Sequence, residues 1–223
     1  MRLRISVWVA TLGLALPALL LPVHAQAGHP KPDVVASHHG PALPKAAHAL
    51  ALRIVQSSDH GRLPFAIVDK HAAMLMVYHQ DGTFAGASTV LLGQTLGDGS
   101  TAGVGERTQA GKLEAADRTT PAGRFESLPG KNLAGEHVVW IAYADALAIH
   151  RLRPAPLAEQ RVQRMASSNL RDKRISAGCV VVPEAFYDGV IRPVLGYGRA
   201  VVYVMPENSP WQQLWTGLAQ RDL

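Results

Sequence analysis

Short apolar runs separated by turn residues make up most of the chain from residue 63 onward. The runs LPFAIVD, AAMLMVYH and FAGASTVLLG are rich in aliphatic and β-branched residues, and QDGT at 80–83 is typical of a turn between two strands. Met74, Met76 and Tyr78 alternate along the second run, so they are expected to share the core face of one strand. The pattern predicts a sheet that begins with these segments.

The second half of the chain continues with strands and adds two helices. EHVVWIAYADALAIHR predicts two strands joined by a turn, and TTPAGRF, RISAGCVVV and GRAVVYVMP predict further extended segments. Helices are predicted in PEAFYDGVIRPVL and at 155–169. The apolar stripe of the latter consists of Leu157, Val162 and Met165. Because strands outnumber helices, the predicted fold class is mainly β, a β-rich barrel or sandwich with a few short helices.

Composition separates the predicted domain, residues 63–206, from its flanking segments. Residues 28–62 contain five His with Pro and Ala but no metal-ligand spacing, which predicts a linker with a possible short helix. Residues 207–223 form a C-terminal tail, and its two Trp at i, i+4 are expected to dock it on the domain. Within the domain, the Gly- and Thr-rich residues 93–123 lack the Lys-Ser/Thr pair of a phosphate-binding loop. They predict a long surface loop that crosses a site.

The first 27 residues have the pattern of an export signal. Arg2 and Arg4 precede an apolar stretch at 5–23, and VHA or AQA supplies small residues for cleavage. We therefore predict a signal peptide at 1–27, a location in the periplasm or cell envelope, and no stable membrane insertion after cleavage. An uncleaved membrane anchor is the alternative, since the stretch is barely long enough to span a bilayer.

Charge and composition argue against one class of partner, nucleic acid. The full chain has a formal charge of +5, and removal of residues 1–27 leaves 20 basic against 17 acidic residues. That excess is too small to argue for nucleic acid, and a hydrophobic content of 48% is that of an ordinary globular protein. No nucleic-acid partner is expected, and the sequence leaves the oligomeric state open.

The chain has a single cysteine, Cys179, which lies between a Gly and three Val. An unpaired Cys in an exported protein indicates a free reactive thiol or an intermolecular bridge, because oxidising compartments favour paired cysteines. A buried structural thiol is the other interpretation that the residues allow, since Cys also behaves as a small apolar side chain.

The residues around Cys179 supply what a thiol nucleophile needs, namely a base within hydrogen-bond reach and donors for the developing oxyanion. Gly178 permits a tight turn, so the N–H groups of Gly178 and Cys179 are candidate oxyanion donors. Ser176 is close enough in sequence to hydrogen-bond within that turn. His150 closes a predicted strand upstream, from where its ring could reach the thiol and hold a thiolate–imidazolium pair.

Four segments in this order resemble the catalytic domain of the L,D-transpeptidases, the YkuD-like family. They are TTPAGRF at 119–125, AIHR at 148–151, ISAGCVVVP at 175–183 and the closing apolar strand. FAIVDKHAAMLMVYHQDGTF is also similar to the opening hairpin of the family. The resemblance covers roughly residues 63–206 and implies a β-rich fold.

The resemblance implies a cysteine acyltransferase that acts on peptidoglycan stem peptides. By position, Cys179 would be the nucleophile, His150 its base, and Ser176 and Gly178 would complete the nucleophile turn. The thiolate would attack the carbonyl before a terminal D-residue, and the resulting thioester would pass the stem peptide to an amine. Cross-linking or attachment of an acceptor would follow. No metal and no organic cofactor is implied.

Two positions depart from the family pattern. Ala177 stands where many members have His or Lys, and Val181 stands where many have an Arg or Asn that could bind a substrate carboxylate. Arg151 and Arg153, just after His150, are the candidate replacements for that charge. The interval of 28 residues between the His and the Cys is also longer than usual, and its predicted helix is expected to form a lid.

Three functions remain open on the sequence. Besides the transpeptidase, the same site would support an L,D-carboxypeptidase or endopeptidase that uses water as acceptor. The third function is a catalytically inactive domain that binds cell-wall peptides. The presence of Cys179 together with His150 favours an enzyme, because a decaying site gains nothing from a thiol in an oxidising compartment.

Overall fold

The computed structural model describes residues 43–215, and they form the mainly β fold that the sequence predicts. The predicted signal peptide at 1–27 lies outside the described residues. The strands are β1 Phe65–Asp69, β2 Met74–Tyr78, β3 Phe84–Thr89, β4 Leu92–Gly93, β5 Gly123–Lys131, β6 His137–Ala142, β7 Leu147–Arg151, β8 Arg174–Ser176, β9 Val180–Val182 and β10 Ala200–Val204.

Eight of these strands form one mixed sheet in the order β3-β2-β1-β10-β5-β6-β7-β9. β1 pairs with β10 and β7 pairs with β9 in parallel, while the other neighbours are antiparallel. β4 and β8 form a separate parallel pair. A bridge between Leu91 and Val181 connects the segment before β4 to the edge strand β9.

The middle of the large sheet is buried on both faces, which explains why its strands have continuous apolar sequences. All five residues of β1 and all five of β10 are buried. Along β1, Ala66 and Val68 belong to a core cluster that also contains Ile149 and Val180 from the far end of the sheet. Phe65 belongs to a second cluster on the opposite face. The sheet therefore curls around the first cluster and carries the second on its outside.

The helices are short except for the first. They are α1 Lys45–Ser57, α2 Val104–Gln109, α3 Arg161–Ala166, α4 Glu184–Phe186, α5 Arg192–Leu195 and α6 Trp211–Leu214. A π-helical turn, Tyr187–Ile191, joins α4 to α5 and completes the helix predicted in this segment. Single 3-10 turns lie at Leu157–Glu159 and Leu170–Lys173. Within residues 43–215, no helix has the length and apolar character that a membrane span requires.

The helix predicted at 155–169 is interrupted, and most of its predicted stripe is not a core face. Gln160 has a left-handed backbone with φ 46°, which separates the 3-10 turn from α3. Leu157 and Val162 are 95% and 66% exposed, whereas Met165 is buried. Two residues of the predicted stripe therefore face solvent, and only the third anchors the segment.

Part of the predicted linker belongs to the folded domain. In α1, Ala47, Leu50, Ala51 and Ile54 recur at the spacing of one helix face, and all four are fully buried. They pack in the cluster on the outer face of β1, β2 and β10. The short helix that the sequence allows within residues 28–62 is thus α1, and its buried face adds to the outer core. The apolar signal is weak in the sequence because two of the four residues are Ala.

The beginning of the predicted tail also packs on this outer face. Trp211 is buried, and the ring of Trp215 meets the ring of Tyr203 edge-on with centroids 5.7 Å apart. The two Trp therefore lie against the domain, as expected from their spacing.

A buried lysine, Lys70, binds both ends of the Gly- and Thr-rich loop at 93–123. Its Nζ donates to the carbonyl oxygens of Gly97 and Thr120 at 2.6 and 2.9 Å and to Asp98 Oδ1 at 2.8 Å. A second carboxylate, Glu207, lies 3.7 Å from the same ammonium. Burial lowers the pKa of Lys70, while the two carboxylates act in the opposite direction. The ammonium therefore ties the turn after β1 to both ends of the loop and to the segment after β10.

The packing of α1 predicts the effect of a single truncation. Leu50→Ala should lower the free energy of unfolding by about 2–5 kcal/mol, because it leaves a cavity in the outer core. The matched control is Gln56→Ala on the exposed side of α1, which should change it by less than about 0.5 kcal/mol. Urea unfolding followed by circular dichroism measures both. Equal, negligible changes at the two positions would mean that α1 is a linker after all.

Candidate active site

Cys179 lies at the end of a tight turn between β8 and β9. Ser176 Oγ donates to the carbonyl oxygen of Cys179 at 2.7 Å and accepts from the Gly178 N–H at 3.1 Å. Gly178 has φ +128°, and a Cβ there would lie 2.9 Å from the carbonyl oxygen of Thr119. A residue with a side chain is excluded at 178 by the backbone angle and by this close approach. Ser176 and Gly178 therefore shape the turn that presents the thiol.

One of the two predicted oxyanion donors is already engaged. Because the Gly178 N–H donates to Ser176 Oγ, it is not available to a developing oxyanion in this conformation. Of the predicted pair, the Cys179 N–H is therefore the candidate oxyanion donor.

The TTPAGRF segment is hydrogen-bonded to the Cys179 turn through Thr120. Thr120 Oγ1 donates to the carbonyl oxygen of Gly178 at 2.7 Å and accepts from the Gly93 N–H at 2.8 Å. Gly93 approaches so closely that a Cβ would lie 2.4 Å from the carbonyl oxygen of Arg118. The sequence singles out this segment by resemblance, but the part that the Thr120 hydroxyl plays emerges only from the fold.

His150 is brought to the same wall as Cys179 by the pairing of β7 with β9. His150 pairs in parallel with Val181, two residues after Cys179, so the three side chains share one face of the sheet. Ala146, Ala148 and His150 alternate along the chain and line one cavity together with Cys179. The volume of this cavity is about 480 Å³. The fold thus gathers the predicted nucleophile and base at one cavity.

The hydrogen bond of His150 determines which ring nitrogen is available. Nδ1 lies 2.8 Å from the carbonyl oxygen of Arg151, which can only accept, so Nδ1 carries the hydrogen and Nε2 keeps its lone pair. Burial, together with the positive charge of Arg153, lowers the pKa of His150 to about 4. At pH 7 the ring is therefore a neutral imidazole, able to accept a proton at Nε2.

The thiol is neutral as well. Burial raises the pKa of Cys179, while the Ala148 N–H and the charge of Arg153 act in the opposite direction with less weight. Sγ lies 3.5 Å from the carbonyl oxygen of Ala146, to which the thiol can donate. The resting pair is therefore a thiol and an imidazole, and not the thiolate–imidazolium pair anticipated from the sequence.

The two candidate substrate-binding arginines have different surroundings. Arg153 lines the cavity, and its Nε lies 2.6 Å from Glu136 Oε2. Arg151 pairs with Asp188 at 2.6 Å and lies over the ring of Tyr187, 4.8 Å from its centroid. Because side chains alternate along β7, Arg151 points away from the face that carries His150. Arg153 is brought to the cavity, and Arg151 is not.

Other ionisable groups near the turn have structural partners. Asp117, buried in the loop, accepts from Arg107 Nε at 2.8 Å and also from Thr101 Oγ1, which holds the pKa of this carboxyl far below its usual range. His137 has its ring nitrogens 2.9 Å from the Tyr187 hydroxyl and 3.1 Å from the Gly196 carbonyl oxygen. Neither group is placed as a second base.

The apolar Val181 has a packing partner that explains it. Val181 is fully buried in a small cluster with Leu91 and Met165, the latter from α3. A charged side chain at 181 would be buried beneath α3, where its desolvation would be costly. The longer segment before Cys179 and the apolar residue after it therefore belong to one packing arrangement.

No group of three or more His, Cys, Asp or Glu within residues 43–215 is arranged to hold a metal ion. The site is therefore described by its side chains alone.

Comparisons with known proteins give distant likenesses to solved structures. No protein-family model and no curated protein sequence matches the chain. Among solved structures, it is similar to the LD transpeptidase LdtMt1 in complex with imipenem, with 14% identity and a TM-score of 0.37. The likeness covers 64% of this chain and 58% of that chain, which is less than two thirds of its length. At these values the likeness assigns no activity to the chain.

The position of Thr120 predicts a measurable dependence of the turn on one hydroxyl. Thr120→Val should destabilise the protein by about 1–3 kcal/mol, because it leaves the buried Gly178 carbonyl and Gly93 N–H without a partner. Thr119→Val is the neighbouring control. Its hydroxyl makes only a 3.2 Å bond to Ala116, so the loss should stay below about 1 kcal/mol. Urea unfolding tests this, and equal losses at the two positions would contradict it.

The neutral resting pair predicts the pH dependence of Cys179 alkylation. Only the thiolate reacts, so the iodoacetamide rate should rise about tenfold per pH unit and inflect above the ordinary thiol pKa. The raised pKa sets the direction, since the thiol stays protonated to a higher pH when folded. Stopped-flow alkylation between pH 5 and 10 measures the curve, and the urea-denatured protein is the control. A fast plateau between pH 5 and 7 would instead demonstrate a thiolate–imidazolium pair.

Proposed function

We propose that the chain is an exported cysteine L,D-transpeptidase that acts on peptidoglycan stem peptides. The observation that carries the proposal is the neutral His150, with a free Nε2 lone pair, on the same cavity wall as the lone cysteine. A cavity of about 480 Å³ is in the range that small-molecule and peptide substrates occupy. The TTPAGRF and ISAGCVVVP segments, which resemble this family, meet at the turn through Thr120 and Gly178.

The first half-reaction would transfer the peptide to sulfur. His150 Nε2 takes the thiol proton as Cys179 Sγ attacks the carbonyl carbon before the terminal D-residue. The carbonyl oxygen becomes an oxyanion, which we assign to the Cys179 N–H. When the tetrahedral intermediate collapses, the C–N bond breaks and the leaving amine takes the proton from His150. The product is a thioester on Cys179 and a free D-amino acid.

The second half-reaction would use the same two side chains in reverse. His150 removes a proton from the acceptor amine as it attacks the thioester carbonyl. The C–S bond then breaks, and the proton returns from His150 to the sulfur. Water in place of the amine would release a carboxylic acid and make the protein a hydrolase. The acceptor therefore decides between a transpeptidase and an L,D-carboxypeptidase or endopeptidase.

Arg153 is the side chain we assign to the negative charge of the substrate. It lines the cavity beside His150, and Val181 leaves the position two residues after the nucleophile apolar. Arg151 is not included, because it is paired with Asp188 on the other face of the strand. The mature protein would consist of residues 28–223 and act in the periplasm or cell envelope.

The proposal predicts a cysteine-dependent product from tetrapeptide muropeptides. The unmodified protein should release D-Ala and form a cross-linked dimer, while Cys179→Ala should form neither. His150→Gln should lower the rate by at least about 100-fold, because it removes the general base. His71→Gln, at an exposed histidine, is the matched control and should leave the rate unchanged. Mass spectrometry of the products measures all four proteins.

The alternatives have distinct outcomes in the same assay. Release of D-Ala without a dimer, in the presence of excess acceptor peptide, would establish the hydrolase. Absence of both a product and an acyl adduct on Cys179 would leave a domain that binds cell-wall peptides without reacting.

A further inference from the structure

We propose that Glu136 forms an ion pair with Arg153 in the resting protein and that the C-terminal carboxylate of the donor peptide displaces Glu136 from this pair. Glu136 would thus be a specificity-determining residue that sets how strongly Arg153 selects a free carboxylate over a neutral chain end. The proposal rests on the proposed function for the identity of the peptide, but the competition for Arg153 is a property of the site itself.

Arg153 lies at the boundary between two neighbouring cavities. One is the cavity of Cys179 and His150, and the other, of about 890 Å³, lies under the segment that carries α3. Arg153 is the residue that lines both. A guanidinium at the boundary between two cavities can turn toward a ligand in the first without leaving its place in the fold.

The partner of Arg153 is held in place independently of it. Glu136 follows the loop between β5 and β6, and its Oε2 accepts from Asn132 Nδ2 at 2.8 Å. Two further bonds of 3.0 Å join the same residues: the Asn132 N–H donates to the Glu136 carbonyl oxygen, and the Glu136 N–H donates to Asn132 Oδ1. Glu136 therefore keeps a partner when Arg153 departs, which lowers the cost of the exchange.

The ion pair is also accessible to a competing carboxylate. Arg153 and Glu136 are each 34% exposed at their side chains. The Arg153 Nε atom is buried 2.6 Å from Glu136 Oε2, but the two are not aligned as a hydrogen bond. A pair that is one-third exposed and poorly aligned is only moderately stable, because solvent screens it. A buried, geometrically locked pair would not exchange in this way.

The charge of Arg153 is felt at the reacting groups. It lowers the pKa of both Cys179 and His150. The terminal carboxylate of a donor peptide lies one residue beyond the scissile carbonyl, a distance of about 3.8 Å between adjacent Cα atoms. A guanidinium on the wall of the same cavity is thus suitably placed to take that carboxylate while Sγ faces the carbonyl.

The first test uses two small alkylating probes on the full-length protein, so that it does not depend on the natural substrate. Iodoacetate carries a carboxylate and iodoacetamide does not, and both alkylate Cys179. In Glu136→Gln the ratio of iodoacetate to iodoacetamide rates should rise about threefold, because the competing carboxylate is gone. In Arg153→Gln the ratio should fall about threefold or more, and the double variant should match Arg153→Gln.

The chain offers a matched control in the neighbouring ion pair. Asp188→Asn frees Arg151 as Glu136→Gln frees Arg153, but on the face away from the cavity. Its rate ratio should equal that of the unmodified protein. A ratio that is unchanged in Glu136→Gln, or that rises equally in Asp188→Asn, would overturn the proposal. Circular dichroism of each variant excludes loss of the fold as the cause.

The second test measures the binding of a stem peptide. In the Cys179→Ala background, calorimetry compares a tetrapeptide stem that has a free C-terminal carboxylate with its C-terminal amide. Adding Glu136→Gln should tighten binding of the carboxylate form about threefold and leave the amide unchanged. Equal effects on the two peptides would overturn the exchange. If the rate ratios behave as expected but neither peptide binds, the assignment of the substrate fails and the Arg153–Glu136 competition stands.

Discussion

A buried ammonium, Lys70 Nζ, holds together the segments that meet beneath the cysteine turn. It binds the Gly97 and Thr120 carbonyl oxygens and the Asp98 carboxylate, so the loop between β4 and β5 is closed at both ends by one cation. The Thr120 hydroxyl in turn donates a hydrogen bond to the Gly178 carbonyl oxygen, so the turn that carries Cys179 is held to the same loop. The presentation of the thiol therefore depends on a charge that lies far from it in sequence. Loss of that charge would take the donor away from the Gly97 and Thr120 carbonyl oxygens.

The turn that carries Cys179 is held by hydrogen bonds from Thr120, while the strand after it packs in an apolar cluster. Met165 from α3 packs on Val181, and Leu91 completes the cluster at the edge strand. This packing excludes a charged side chain from the position two residues after the thiol. The cationic side chains that line the cavity are Arg153, beyond the end of β7, and Lys131, at the end of β5. The long segment before Cys179 and the valine two residues after it thus belong to one packing arrangement.

Burial keeps the reacting groups uncharged. It raises the pKa of the Cys179 thiol and lowers that of the His150 imidazole to about 4, and each shift penalises the charged form. In the proposed reaction, a proton would therefore move only when sulfur bonds to carbon, with His150 as general base. A thiol that is protonated at rest also reacts slowly with oxidants, since the thiolate is the reactive form.

The sequence alone determined the strands, because residues buried on two faces leave continuous apolar runs, and it singled out Cys179, His150, Ser176 and Gly178 by type and order. It did not identify α1 as part of the core, since Ala contributes little to an apolar pattern. Only the tertiary structure decided that Arg153 lines the cavity while Arg151 pairs with Asp188. It also decided that the Gly178 N–H is engaged. The physical reason is that direction, burial and hydrogen-bond partners depend on strand register and on contacts between segments distant in sequence, which local patterns do not contain.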